Sequence, residues 1–445
     1  MTRRTLFVPV FGLILLLAVA CTSATDDSTN EDGSLATSTS TTVAETTTTL
    51  PPLPPQLSVP DVARAEIGQT FADAVVATDR NSDDTMIEVV GRVPDGFAIT
   101  QNARGRLTGF TWEPELAGEW DVDFTASDTT GLSTTETVRL VSRFSRETDL
   151  MLAMGDSVAA GFGRDRIDFG GSDECFRSEG DSYARHTYDA LIEAGSLPGD
   201  AEWLTVACAG ATAARMTNLR VTATTVDGDL FGEPLSQLDF AVRQNPTIIT
   251  LTIGSSDVSL FDAAALTETD SDQDPTRAID QFYVDNMLGQ FETHLGILLD
   301  TLVRSTDSRI VVTTWYDPTA AIPVGVDGCT GQCMVDVMAA VVSSTNSVIV
   351  DAADSQPRDR IRLARLDGDA DIWEAENGIG PDALRDGLGP LQGVVDAFTG
   401  GINATCADSG SPAQDLISSL DCSHPNDAGH RAIAEVVTAT LLRDS

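Results

Sequence analysis

Four short apolar runs constrain this chain most: "LMLAM" (Leu150–Met154), "WLTVA" (Trp203–Ala207), "TIITLTI" (Thr247–Ile253) and "RIVVTTW" (Arg309–Trp315). None alternates apolar with polar residues as a strand with one wet face must, so each is expected to be a strand buried on both faces. Between and after them lie "YARHTYDALIEAG", "AIDQFYVDNMLGQFETHLGILLDTLVRS" and "NDAGHRAIAEVVTATLLRD", which have the length and spacing of helices. Strands alternating with helices imply βαβ units, a parallel sheet and a three-layer α/β domain. Ligands of such sheets bind outside the carboxyl ends of the strands. "GDSVAAG" follows directly on the first run, so Ser157 is expected at one of these ends.

Upstream the rhythm differs. "EWDVDFTA" and "ETVRLVSRF" alternate apolar and polar residues in short runs and "DTTG" signals a turn, which predicts a small antiparallel, all-β sandwich over residues 56–146. Its "DRNSDD" stretch (Asp79–Asp84) lacks a calcium-loop template and is expected to be a solvated acidic loop. Residues 22–55 are dominated by Ser, Thr, Pro and acids and have too few apolar residues for a core, as in a tether. Residues 1–21 read as an export signal: Arg3 and Arg4, the apolar "LFVPVFGLILLLAVA", then Ala18-Val19-Ala20 before Cys21. The α/β domain is left with residues 147–445.

Charge and cysteine usage narrow the function. A net charge of −41 repels nucleic acid and anionic membrane surfaces. All 27 basic residues are Arg, which excludes lysine nucleophiles and Schiff bases. Setting Cys21 aside, Cys175, Cys208, Cys329, Cys333, Cys406 and Cys422 suggest three disulfides, for which fifteen pairings exist. Neighbourhood in the sequence favours Cys175–Cys208, Cys329–Cys333 and Cys406–Cys422. There is no CxxC pair and there are only 4 His, so zinc is disfavoured and the metal expectation is none.

"GDSVAAG" together with the late "DCSHPNDAGH" resembles the GDSL or SGNH hydrolases over roughly residues 149–442. The likeness is greatest to secreted, disulfide-containing bacterial esterases, through "CFRSEGDSYA", "VACAGAT" and "LTIGSSD". It implies a flavodoxin-like α/β/α fold with Ser157 as the nucleophile. A serine hydroxyl needs a base, and the base needs an orienting partner. His424 fits the base, and Asp421, three residues ahead, fits the partner. Ser157 is also a plausible residue type for a helix N-cap, a role compatible with the first. His186, His294 and His430 lack such surroundings and are expected to be packed or surface histidines, while Asp156 is expected to shape the turn. The family holds its oxyanion with the nucleophile's N–H, a Gly N–H and an Asn side chain. Ser157 and Gly210 match the first two. The family's Gly-x-Asn-Asp is here Gly254-Ser255-Ser256-Asp257, which puts Ser256 in the Asn place.

Two upstream segments carry resemblances as well. The first 21 residues resemble a lipoprotein signal that would leave Cys21 acylated. "VPDGFAI", "GRLTGFTW" and "AGEWDVDFTASD" resemble bacterial cadherin-like or immunoglobulin-like modules. The expectation is therefore a monomeric, extracytoplasmic serine esterase, lipid-anchored to the bacterial cell membrane and needing no cofactor. Its substrate would be a small-molecule, lipid or acylated-carbohydrate ester. The rival is a cell-surface binding protein whose hydrolase-like chemistry has decayed at Ser256.

Overall fold

The computed structural model describes residues 53–80, 84–103, 106–161, 175, 177, 182–225, 229–258, 283–316, 332–366, 424–425 and 427–443. All belong to one compact unit, residues 52–445.

In the first part, β2 (Val62–Glu66), β9 (Ser133–Arg143), β8 (Gly118–Ser127) and β5 (Met86–Val90) form a four-stranded sheet in that order. A second sheet runs β3 (Phe71–Ala74), β7 (Leu107–Trp112), β6 (Phe97–Gln101), and β1 (Gln56–Ser58) pairs with β4 (Val76–Thr78). Phe110 and Trp112 from one sheet meet Val122, Phe124, Val138 and Leu140 from the other in a shared core. Alternation produces this packing, because on β8 Val122, Phe124 and Ala126 point inward while Asp121 faces solvent. The expected all-antiparallel pairing does not hold throughout: β2 runs parallel to β9, with Val62 opposite Arg139. The remaining strands separate these two in sequence, so no hairpin fixes their relative direction.

The second part is built on a seven-stranded sheet of order β13-β12-β11-β10-β14-β15-β16. The strands are β10 (Leu150–Gly155), β11 (Glu202–Thr205), β12 (Arg220–Thr225), β13 (Leu230–Ser236), β14 (Ile248–Thr252), β15 (Arg309–Thr313) and β16 (Ile361–Ala364). Every residue of β10 and β14 is buried, as non-alternating apolar runs require. The sheet is mixed rather than wholly parallel. From β11 to β16 the pairs are parallel, but β12 and β13 extend one edge antiparallel. The few residues between Thr225 and Leu230 allow only a hairpin, since a parallel return needs a dozen or more.

Helices α1 (Tyr183–Glu193), α2 (Gln237–Gln244), α3 (Gly289–Ser305), α4 (Gln332–Asp354) and α5 (Asp427–Leu442) complete the layers. α1 packs on α5, whereas α3 packs on α2 and α4, with the sheet between the two groups. β10 lies between β11 and β14, so the chain's travel across the sheet reverses there. That reversal opens the crevice at the carboxyl ends where such folds bind ligands.

The two parts are fastened together at the opposite ends of the strands. Asn245 closes α2 in a left-handed conformation (φ 45°). Its Nδ2 donates to Phe144 O at 2.9 Å, and its Oδ1 accepts from Asp307 N at 2.7 Å. Arg146 donates to the carbonyls of Asn245 and Pro246 at 2.7 and 3.0 Å. Arg143, at the end of β9, pairs with Glu119 at 2.7 Å and reaches Asp307 at 3.5 Å. It also donates to Gly118 O and Ser142 O at 3.1 and 2.8 Å. Arg143→Ala should therefore lower stability by about 1–3 kcal/mol, mostly through donors lost from buried carbonyls. In scanning calorimetry the sandwich should then melt ahead of the α/β part; one unchanged transition would show that Arg143 does not join them.

Candidate active site

The site begins where β10 ends. Gly155 has φ +127°, and a Cβ there would lie 1.9 Å from the Thr252 carbonyl oxygen, so only glycine fits. The buried Gln237 carboxamide grips this residue twice: Gly155 N donates to Oε1 at 2.8 Å, and Nε2 donates to Gly155 O at 3.0 Å. Asp156 N then donates to Thr252 O at 2.9 Å and the chain leaves the sheet. It bends through Asp156–Gly161 as a turn, with Val158 N donating to Asp156 Oδ1 at 3.1 Å. No helix starts at Ser157 among the described residues, so the N-cap role is not realised.

At the tip of this turn Ser157 Oγ lies 2.8 Å from His424 Nε2, a contact between residues 267 positions apart. Ser157 is buried, 8% exposed. Asp421, Cys21, Cys329, Cys406 and Cys422 lie outside the described residues, as does the side chain of Cys333. Of the other histidines, His430 is wholly buried and its Nδ1 accepts from Tyr183 N at 3.2 Å. His186 on α1 and His294 on α3 are half-buried.

Two more chain segments wall the site. After β11, Cys208 forms a disulfide with Cys175, which precedes α1 in the chain. The neighbouring Arg177 donates to Thr222 O and Thr224 Oγ1 at 2.7 and 2.9 Å. Gly210 follows at φ +76°, and its carbonyl accepts from Arg215 Nη1 at 3.2 Å. Among the described residues nothing accepts from the backbone N–H of Ser157 or Gly210. After β14, Ser255 Oγ donates to Asp156 Oδ2 at 3.0 Å, and Ser256 is half-buried beside it. Asp257 accepts from Ala213 N on both oxygens, at 2.9 and 3.1 Å.

Sequence reasoning missed Gln237, Ser255 and Asp257. The last two stand in "GSSD", but nothing in that string says which serine turns toward Asp156. Gln237 gives no signal at all, as the first residue of an ordinary amphipathic helix. Among the described residues no group of His, Cys, Asp or Glu gathers to hold a metal ion.

Electrostatics single out the two acids. Burial pushes the Asp156 carboxyl up to about 6, against the hydrogen bonds from Val158 and Ser255 and the nearby His424 charge. Burial likewise pushes Asp257 up to about 7, with Asp156 adding to the rise and the Ala213 N–H opposing it. Below them the Tyr183 hydroxyl meets Thr252 Oγ1 at 2.7 Å, and Thr252 Oγ1 meets Thr313 Oγ1 at 2.7 Å.

A serine and a histidine in hydrogen-bond contact at the switch point of a doubly wound sheet define a class, and the sequence comparison gives the family. Residues 151–437 match the family described as GDSL-like Lipase/Acylhydrolase, and the chain belongs to it. Membership implies hydrolase activity. Phospholipase A1 from Streptomyces albidoflavus NA297 aligns over 66% of this chain and 99% of its own, at 16% identity and a TM-score of 0.39. An extracellular lipase from Streptomyces rimosus aligns over the same shares at 15% identity and a TM-score of 0.39. No curated protein matches the chain.

The raised acids dictate a pH dependence. Both start from 3.8, so between that value and about 6 or 7 the folded state keeps protons that the unfolded chain has released. Their contribution to stability is present at acid pH and is lost as pH rises through those folded values. Asp257→Asn should accordingly melt higher than wild type at pH 8, and the gap should close toward pH 4. Urea titrations at both pH values check this; a gap that widened on acidification would contradict it.

Proposed function

We propose that this chain is an exported serine esterase that cleaves a carboxylic ester through an acyl-enzyme. The observation that carries the proposal is the 2.8 Å contact between Ser157 Oγ and His424 Nε2 at the carboxyl end of β10. His424 takes the hydroxyl proton as Ser157 Oγ attacks the ester carbonyl carbon. The carbonyl oxygen becomes an oxyanion, received by the N–H groups of Ser157 and Gly210, which have no acceptor among the described residues. Collapse breaks the carbon–oxygen bond to the alcohol, which leaves with the proton from His424. Water, deprotonated by the same imidazole, then attacks the acyl-serine, and the acid departs as the Ser157 hydroxyl re-forms. Asp421 orients the imidazole in this scheme. Ser256 supplies a third oxyanion donor, directly or through a water, because a serine hydroxyl is shorter than a carboxamide.

The upstream segments fit a delivery role: Cys21 as lipid anchor, residues 22–55 as tether, and residues 56–146 as a cadherin-like module. A second reading, a binding protein with decayed chemistry, is favoured only by Ser256 standing where the family has Asn.

A fluorophosphonate probe distinguishes the two. It should label the wild type and fail to label Ser157→Ala, and both Ser157→Ala and His424→Ala should lose about 10³-fold or more in ester turnover. An unlabelled wild type, or His424→Ala at full activity, would remove the esterase assignment. Ser256 gives an independent test. Ser256→Asn should raise kcat by up to about tenfold to hundredfold, less than a whole oxyanion donor is worth, and Ser256→Ala should slow the enzyme. Unchanged turnover in both variants would place Ser256 outside the oxyanion hole.

A further inference from the structure

Three turns meet at the carboxyl ends of β10, β11 and β14, and each pair of turns is joined by a different bond. The first turn joins the second by backbone, Cys208 N donating to Gly155 O at 3.0 Å. The first joins the third through Asp156, whose Oδ2 accepts from Ser255 Oγ at 3.0 Å. The second joins the third through Asp257, whose two oxygens straddle Ala213 N at 2.9 and 3.1 Å. Gly210 lies between Cys208 and Ala213, in a stretch that is therefore held at both ends, by Gly155 on one side and by Asp257 on the other. Arg215, two residues past Ala213, adds a grip by donating to Gly210 O at 3.2 Å.

We propose that Asp257 is a positioning residue for the ester hydrolysis: by holding Ala213 N it fixes the Gly210 N–H at the distance from Ser157 that the oxyanion requires. Asp156 does the matching task on the other side, tying the turn that carries Ser157 to Ser255. The oxyanion hole is thus shaped by two carboxylates that never touch the substrate. This assignment rests on the esterase reading above and goes beyond it, because neither acid belongs to the nucleophile, the base or the donors.

Energetics support a functional reason for the pair. Asp156 is wholly buried and Asp257 half-buried; burial disfavours the ionised form of both, and the Asp156 charge adds to the penalty at Asp257. A fold selected for stability alone would do better with neutral side chains here, and such strain tends to collect where geometry matters for chemistry. Asp257 also keeps a short, forked acceptor that a single hydroxyl cannot reproduce. The fork suits a loop that must be fixed in direction as well as in distance.

The test uses the full chain with 4-nitrophenyl butyrate as substrate, and fluorophosphonate titration to count competent Ser157 sites. Asp257→Ala should lower kcat per titrated site by about tenfold to hundredfold while KM stays within about twofold, since only transition-state geometry suffers. Asp257→Asn keeps one oxygen acceptor for Ala213 N and should recover kcat to within about threefold of wild type. Ser255→Ala, on the Asp156 side, should lower kcat several-fold with KM unchanged, and it carries the test if Asp257→Ala does not fold. A kcat per site equal to wild type in Asp257→Ala, or in Ser255→Ala if it stands alone, overturns the proposal. So does a rate loss that only follows the loss of titrated sites, because that marks a merely structural residue. A wild type that neither labels nor turns over overturns the esterase reading and this inference with it, whereas an active wild type with indifferent variants overturns the inference alone.

Discussion

Everything in the catalytic half depends on one close approach, that of Gly155 to the carbonyl of Thr252. β10 and β14 come together there with no room for a side chain, and φ +127° bends the chain out of the sheet at the moment the strand ends. The peptide groups exposed by that bend are not left to water. Gln237 receives one and feeds another, and Cys208 N takes the remaining lone pair of Gly155 O. A turn anchored on three sides can hold a serine at a fixed height above the sheet. Gly254, just past β14, has a similar φ of +128°, but there a Cβ would meet the Phe291 and Thr345 side chains and not a neighbouring strand's carbonyl.

What could be read from the sequence was whatever a single strand or turn encodes by itself. The unbroken apolar runs announced β10 and β14, and "GDSVAAG" announced the turn, because burial on both faces and a tight exit leave local marks. Direction of pairing left none. The β12–β13 edge and the parallel β2–β9 pair follow from which strands become neighbours, a tertiary outcome that alternation does not specify. The same limit governed the site. Ser157 and His424 were visible as residue types in a known order, but Gln237, Ser255 and Asp257 act through contacts with distant turns. The Cys175–Cys208 bond, favoured by neighbourhood in the sequence among the fifteen possible pairings, is formed in the folded chain.

The chain uses arginine wherever it needs a buried cation. Arg143 at the joint and Arg177 beside the disulfide each spread several donors over carbonyl oxygens of different segments. A guanidinium is suited to this, since its donors are fixed in a plane and its charge persists at any ordinary pH. Acids in the same protein behave oppositely. Asp156 and Asp257 sit where burial penalises ionisation, so both hold their protons to higher pH than a free carboxyl does.

The placement of that joint has a consequence for how the protein can be used. Arg143, Phe144 and Arg146 grip residues that precede β14 and β15, while Ser157 and His424 stand beyond the opposite ends of the strands. The sandwich is thus a plinth and not a jaw. The joint and the Ser157–His424 pair stand at opposite ends of the same strands, so a disturbance at the joint reaches the serine only along the sheet.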